Sequence, residues 1–192
     1  MPKIKEVRCI RSRGTGYWVI IKIITDQPGL WGIGSANDVH HSSAVITAIE
    51  EVFAPRLIGR NTADIEDIWQ STNTSAYWRN SSILNVVLGG IDMALWDIKG
   101  KEAGMPVYDL LGGRCRTAVP CYAHASGNDF ESLVDDIQRY LDEGYSVVRC
   151  QMGAYGGGGF IDSNRSKRPT NAWPTQHVFD DEVYLETIPR MF

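Results

Sequence analysis

From Ala118 to Gln151 the chain reads AVPCYAHASGNDFESLVDDIQRYLDEGYSVVRCQ, and this stretch carries three patterns in succession. Ala118 to Ala123 and Ser146 to Gln151 have the β-branched and aromatic residues of short strands. Between them, Phe130 to Leu141 repeats its apolar residues at helical spacing and meets Gly144 as a stop. Strand, helix and strand in this order make a βαβ unit, whose strands pair in parallel through a right-handed crossover. Parallel strands are normally covered on both faces. One unit cannot cover itself, so the stretch predicts the opening of a longer β/α series.

Upstream of Leu110-Leu111-Gly112-Gly113 the pattern is different. Lys3 to Arg11, Tyr17 to Thr25 and Leu30 to Ala36 read as strands, with Gly14 and Gly16 in one turn and Gln27-Pro28-Gly29 in the next. From His41 to Phe53 the apolar residues Ala44, Val45, Ala48, Ile49, Val52 and Phe53 recur at helical spacing, and Pro55 follows as a stop. Thr62 is placed to cap a second helix through Ile65, Ile68 and Trp69. A third begins near Ser82, carries Ile83, Val86, Val87, Ile91, Ala94, Leu95 and Ile98 on its core face, and stops at Gly104 and Pro106. The fold class expected is therefore an α+β capping domain, an antiparallel meander plus helices over residues 1–113. The first β/α units of an incomplete TIM (β/α)8 barrel follow over residues 114–192. Such a barrel needs about 250 residues. Fewer than 80 follow Gly113, so the barrel is expected to be unfinished in this chain.

Composition excludes several classes of partner. The 19 lysines and arginines against 23 acids leave a formal charge of −4, without the broad positive surface that a phosphate backbone needs. A nucleic-acid partner is not expected. The longest apolar run, Val19 to Ile24, is interrupted by Lys22 and is too short to span a bilayer. Met1-Pro2-Lys3-Ile4 lacks the regions of a secretory signal, so a cytoplasmic location is expected. Cys9, Cys115, Cys121 and Cys150 form no C-x-x-C pair and are expected as buried, reduced thiols. The run Gly156 to Gly159 lacks the following Lys-Ser or Lys-Thr of a phosphate loop and belongs to a long loop, after which Asp180 to Met191 is again helical in pattern. Trp69, Trp78 and Trp96 lie in or beside apolar helical patterns and are expected in the core.

Several segments resemble the mannonate dehydratase branch of the enolase (mandelate racemase/muconate lactonizing enzyme) superfamily. They are Leu57-Ile58-Gly59-Arg60, Ile65-Glu66-Asp67-Ile68-Trp69, Ala76-Tyr77-Trp78-Arg79, the run from Ile91 to Lys99, and Leu110-Leu111-Gly112-Gly113. The similarity runs from Lys3 to about Gln151. It implies, for the complete protein, a magnesium-dependent dehydration of a sugar acid, an aldonate such as mannonate or gluconate, by α-proton abstraction and enediolate stabilisation. The metal ligands implied are acidic residues on later barrel strands, expected beyond Phe192, so no residue of this chain is expected to bind the metal. A homo-oligomer is implied for the complete protein. Another reaction of the superfamily, racemisation or cycloisomerisation, and a non-catalytic sugar-acid-binding protein are the alternatives.

Three residues are candidates for chemistry. Arg149 lies inside a strand, where a charge requires a partner; it either pairs with a structural carboxylate or, as the resemblance implies, lowers the pKa of a tyrosine base. Ungapped continuation of the family pattern puts that base at Ile161, and Tyr155 is the nearest tyrosine. His124 is expected just past the first barrel strand, at the face where β/α barrels build their sites. There the resemblance implies contact with substrate and proton transfer, and a structural histidine is the alternative. Asn37 follows Gly34-Ser35-Ala36, and the resemblance implies an asparagine closing over a polyol from the capping loop; Asn37-Asp38 is equally good turn chemistry. His40 and His41 are read as the start of the first helix.

Overall fold

The computed structural model describes residues 1–13, 17–38, 41–75, 77–127 and 129–152. The expected helix at Asp180 to Met191, the glycine run Gly156 to Gly159, Tyr155, Ile161, Gly14, Gly16 and His40 lie outside them. The chain divides into two compact units, Met1–Cys115 and the unit that begins at Arg116.

In the first unit, β1 (Ile4–Arg13), β2 (Tyr17–Thr25) and β3 (Trp31–Ser35) form an antiparallel meander in the order β1-β2-β3. Alternation along β2 sends Val19, Ile21 and Ile23 inward, all fully buried. The helices that cover this face are α1 (Ser42–Thr47), a π-helical segment (Ala48–Phe53), α2 (Ala54–Leu57), α3 (Ile65–Asn73), α4 (Ser82–Ala103) and the short α5 (Val107–Leu110). Val45, Ile49, Phe53, Ile68, Val87, Ile91, Leu95 and Ile98 join the strand residues in one core cluster. Each such side chain contributes about 1.5 to 3 kcal/mol of burial free energy.

The closest packing is between α4 and β3. Any Cβ at Gly32 would run into the carbonyl oxygen of Ala94, and any Cβ at Gly34 into that of Gly90. The helix backbone therefore rests on the bare backbone of the strand. Asp97 on α4 accepts a hydrogen bond from the Ile33 N–H at 2.9 Å, and Lys101 donates to the Trp31 carbonyl at 2.8 Å. The outer edge of β3 is thus closed by side chains of the helix that packs on it.

Three expectations need correction in this unit. Pro55 does not end the first helix. The π-helical segment lies just before it, and Pro55 falls in the first turn of α2, where an absent N–H leaves no bond unmade. Thr62 does not cap α3, whose N-cap is Asp64; it is buried, and its N–H and hydroxyl both donate to the Pro2 carbonyl, tying down the chain's start. Trp78 is exposed rather than in the core, its ring edge-on to Tyr77 at 5.4 Å, because it lies in the α3–α4 connection beyond either helix's apolar face.

The second unit contains β4 (Ala123–Gly127), α6 (Phe130–Asp142) and β5 (Val148–Met152), with β4 and β5 parallel in a single sheet. The expected β/α opening is present, but the strand at Ala118 to Ala123 is not. Pro120 has no N–H for a ladder, and the strand starts where the expected one ends. Among the described residues one helix serves the two strands, and Val119, Tyr122, Phe130, Val134, Leu141 and Val147 are exposed. Among the described residues no helix is long and apolar enough to cross a membrane.

The cysteines are free, but only Cys9 is partly buried; Cys115, Cys121 and Cys150 are exposed. Cys115 and Cys121 lie outside the regular elements, and α6 packs more closely on β4 than on β5, which carries Cys150. Burial, with Glu50 adding to it, pushes the Cys9 thiol up to about 11. Because the thiolate is the reactive form, Cys9 should react with a disulfide reagent at pH about 8 at least about tenfold more slowly than the exposed cysteines. Mass spectrometry of labelled peptides reads this out, and equal labelling of Cys9 would contradict the packing of β1. Gly34→Ala should lower unfolding free energy by at least about 2 kcal/mol in urea melts, since the added methyl meets backbone that cannot turn aside. A loss below about 0.5 kcal/mol would show that α4 has room to retreat.

Candidate functional site

β4 owes its position to its carboxyl end. Asp129 caps α6 by accepting the Ser132 N–H at 2.8 Å, and the Ser132 hydroxyl faces the Asp129 N–H in return, a capping box. Two turns later Asp136 accepts the backbone N–H of Ser126 at 3.0 Å through Oδ2, while its Oδ1 accepts from Arg139 at 2.7 and 3.0 Å. Gly127 lies so close to the first turn of α6 that a Cβ there would meet the backbone of Leu133. Strand end and helix start are therefore clamped by one carboxylate and one glycine. The Ser132 N–H and hydroxyl hold the Asp129 carboxyl below its usual range; the Ser126 N–H, then Arg139, do the same for Asp136.

On this frame His124 pairs in register with Arg149, and Ser126 with Gln151. Ala123 and Ala125 are buried against α6, so the alternating positions His124 and Ser126 lie on the opposite, uncovered face, and both are exposed. Arg149 is exposed as well. The strand pairing thus brings an imidazole and a guanidinium onto adjacent positions, about 5 Å apart along the ladder direction. His124 lies within the strand rather than just past it, because β4 starts five residues later than its apolar pattern predicts. Arg149 is not the buried charge that its place in a strand predicts, because among the described residues no element covers that face.

Asn37 belongs to the first unit, two residues past β3. It is half-buried, and its Oδ1 is shielded from solvent yet accepts no hydrogen bond from the described residues. An orphaned acceptor costs about 1 to 3 kcal/mol, so it is a place where an incoming hydroxyl gains binding energy. Next to it, Asp38 accepts the backbone N–H of His41 at 3.1 Å and contacts its Nδ1 at 3.1 Å, which starts α1 and holds the loop. The sequence reads Asp38 only as turn chemistry beside Asn37 and gives Asp136 no role. The spacing from Asp129 to Asp136, two helical turns on one face, was the available signal for the second. Among the described residues no group of three or more His, Cys, Asp or Glu side chains is placed to hold a metal ion.

Residues 5–112 match the family described as mandelate racemase / muconate lactonizing enzyme, N-terminal domain. The chain belongs to this family of the enolase superfamily. A D-galactonate dehydratase family member from Paenibacillus sp. (strain JDR-2) is 56% identical over 192 residues, which cover 100% of this chain and 47% of that protein. One from Musicola paradisiaca is 45% identical over 203 residues, covering 99% of this chain and 49% of the relative. The crystal structure of an enolase from Pantoea ananatis, described with bound D-gluconate and magnesium, has a TM-score of 0.81 and 44% identity, covering 100% of this chain and 49% of that one. The chain spans about half the length of the curated relatives that it matches. In family terms the first unit is the capping domain and the second opens the parallel β/α series.

The depressed carboxyls set an acid limit for the β4–α6 clamp. A group whose folded pKa lies below its unfolded value stabilises above the unfolded value and loses that contribution as pH falls through the folded one. The stability from Asp129 and Asp136 should therefore be complete above their ordinary value of 3.8 and disappear in stronger acid. Urea melts of the chain from pH about 6 down to about 2.5 should show this acid limb, and Asp136→Asn should flatten it. An acid limb unchanged in Asp136→Asn would show that Asp136 does not hold the strand end.

Proposed function

We propose that this chain supplies the capping domain and first β/α units of an acid-sugar dehydratase acting on a six-carbon aldonate. The observation that carries the reading is the in-register pair of His124 and Arg149 on the uncovered face of two parallel strands. It occurs in a chain that aligns along its whole length with a protein described with bound D-gluconate. Relatives carry the name D-galactonate dehydratase family. Galactonate and gluconate therefore stand beside mannonate as candidate substrates, and the aldonate class rather than one stereoisomer is the proposal.

The reaction removes the proton next to the carboxylate and expels the neighbouring hydroxyl as water. Arg149 offers a fixed cation where negative charge develops, and its planar fork matches a carboxylate. The His124 imidazole can hand a proton to a substrate hydroxyl or accept a hydrogen bond from it. The unsatisfied Asn37 Oδ1 accepts a hydrogen bond from a substrate hydroxyl, replacing the partner it lacks. Magnesium is proposed by relation to the Pantoea protein. The described residues form no donor set for it, so no step is assigned to the metal here. A homo-oligomeric complete enzyme is part of the same proposal.

One sequence feature favours a second reading, sugar-acid binding without turnover: Ile161 stands where ungapped continuation of the resemblance puts the tyrosine base. The two readings part in kinetics. In the full-length protein that carries this chain, His124→Gln or Arg149→Met should lower kcat/KM for the best aldonate at least about tenfold, roughly 1.4 kcal/mol of transition-state stabilisation, with the fold intact. Mannonate turnover should be slow or absent beside that substrate. Dehydration of mannonate at an ordinary enzymatic rate would remove the second reading. Variants that lose only stability would make both residues structural.

A further inference from the structure

We infer that Ser126 is a specificity-determining residue of the same site, its hydroxyl binding an aldonate hydroxyl remote from the carboxylate; the inference rests on the aldonate reading of the His124 and Arg149 pair. Along β4 the buried Ala123 and Ala125 alternate with the exposed His124 and Ser126. Ser126 therefore shares the uncovered face with His124 and stands one step nearer the carboxyl end of the strand, the end at which parallel β/α enzymes bind their ligands. Two residues along a strand span about 6.6 Å, comparable to an extended six-carbon chain. A ligand with its carboxylate at Arg149 and its chain running toward the open end thus brings its far hydroxyls level with Ser126.

The backbone of Ser126 is fixed from the helix side. Its N–H donates to Asp136 Oδ2 at 3.0 Å, the Asp136 Oδ1 accepts from Arg139 Nη2 at 2.7 Å, and Arg139 Nη1 donates to Glu143 at 2.8 Å. The next residue, Gly127, lies against the Leu133 backbone and leaves no space for the strand end to move toward α6. All of these contacts are made by the main chain. The Ser126 hydroxyl itself makes no hydrogen bond to the described residues, although it is exposed on the face that carries His124. A hydroxyl can donate one hydrogen bond and accept others, which matches the dual character of a hydroxyl on a polyol. Serine is also short enough to leave room for a ligand beside the imidazole. Holding one such group on a rigid strand is what lets it discriminate between similar ligands.

The full-length protein that carries this chain tests the inference with D-gluconate, D-galactonate and D-mannonate. For the aldonate that binds best, analogues that each lack one hydroxyl remote from the carboxylate complete the panel. Calorimetric Kd is read for every ligand, and kcat/KM wherever there is turnover. Ser126→Ala should weaken the intact aldonate about three- to tenfold, the worth of one neutral hydrogen bond, and one of the deoxy analogues should be indifferent to the substitution. Ser126→Thr, which keeps a hydroxyl, should recover most of the loss. A serine with a structural role alone would shift every ligand alike, because no single ligand hydroxyl would be coupled to it. Equal losses across the panel, or no loss for any ligand, would therefore overturn the inference and leave the aldonate reading standing. An unaltered protein that binds none of the three aldonates would overturn both.

Discussion

The first unit depends on one contact, the backbone of α4 lying directly on Gly32 and Gly34 of β3. No side chain separates helix from strand there, so the helix approaches the sheet more closely than a layer with any larger residue permits. That approach brings Ile91, Ala94, Leu95 and Ile98 over the inner face of β2 and lets Asp97 and Lys101 reach the edge of β3. It also fixes where β3 ends, and Asn37 follows two residues later. A loop residue with an unsatisfied oxygen thus directly follows the strand on which α4 packs.

The second unit solves the same problem by other means. Its strand end is held by the Asp136 carboxylate and by the close approach at Gly127, and the resulting register sets His124 against Arg149. Barrel enzymes place chemistry at the C-terminal ends of their strands, where side chains from neighbouring strands converge. The same alternation that buries Ala123 and Ala125 under α6 assigns His124 to the other side.

The apolar exposure in the two units has different meanings. In the second it follows from topology, since among the described residues one helix serves the two faces of β4 and β5, and Val119, Phe130 and Val147 are exposed. In the first, helices back the inner face of the sheet, and Trp18, Ile10 and Ile33 lie on its other side beside Arg8 and Lys22.

The sequence by itself determined the architecture, because period is a local property: alternation marked the meander, 3.6-residue spacing marked α4 and α6, and the change at Gly112-Gly113 separated the two patterns. It also singled out His124, Arg149 and Asn37 as residue types able to handle a sugar acid. What only the tertiary structure decided were matters of register and partnership. Pro120 moved the start of β4 and so placed His124 inside the strand, and Thr62 found the Pro2 carbonyl instead of a helix. The Asp136 carboxylate and the Ser126 N–H are ten residues apart and meet only once α6 has folded back on β4. A hydrogen bond of that kind depends on the crossover, which no local pattern encodes.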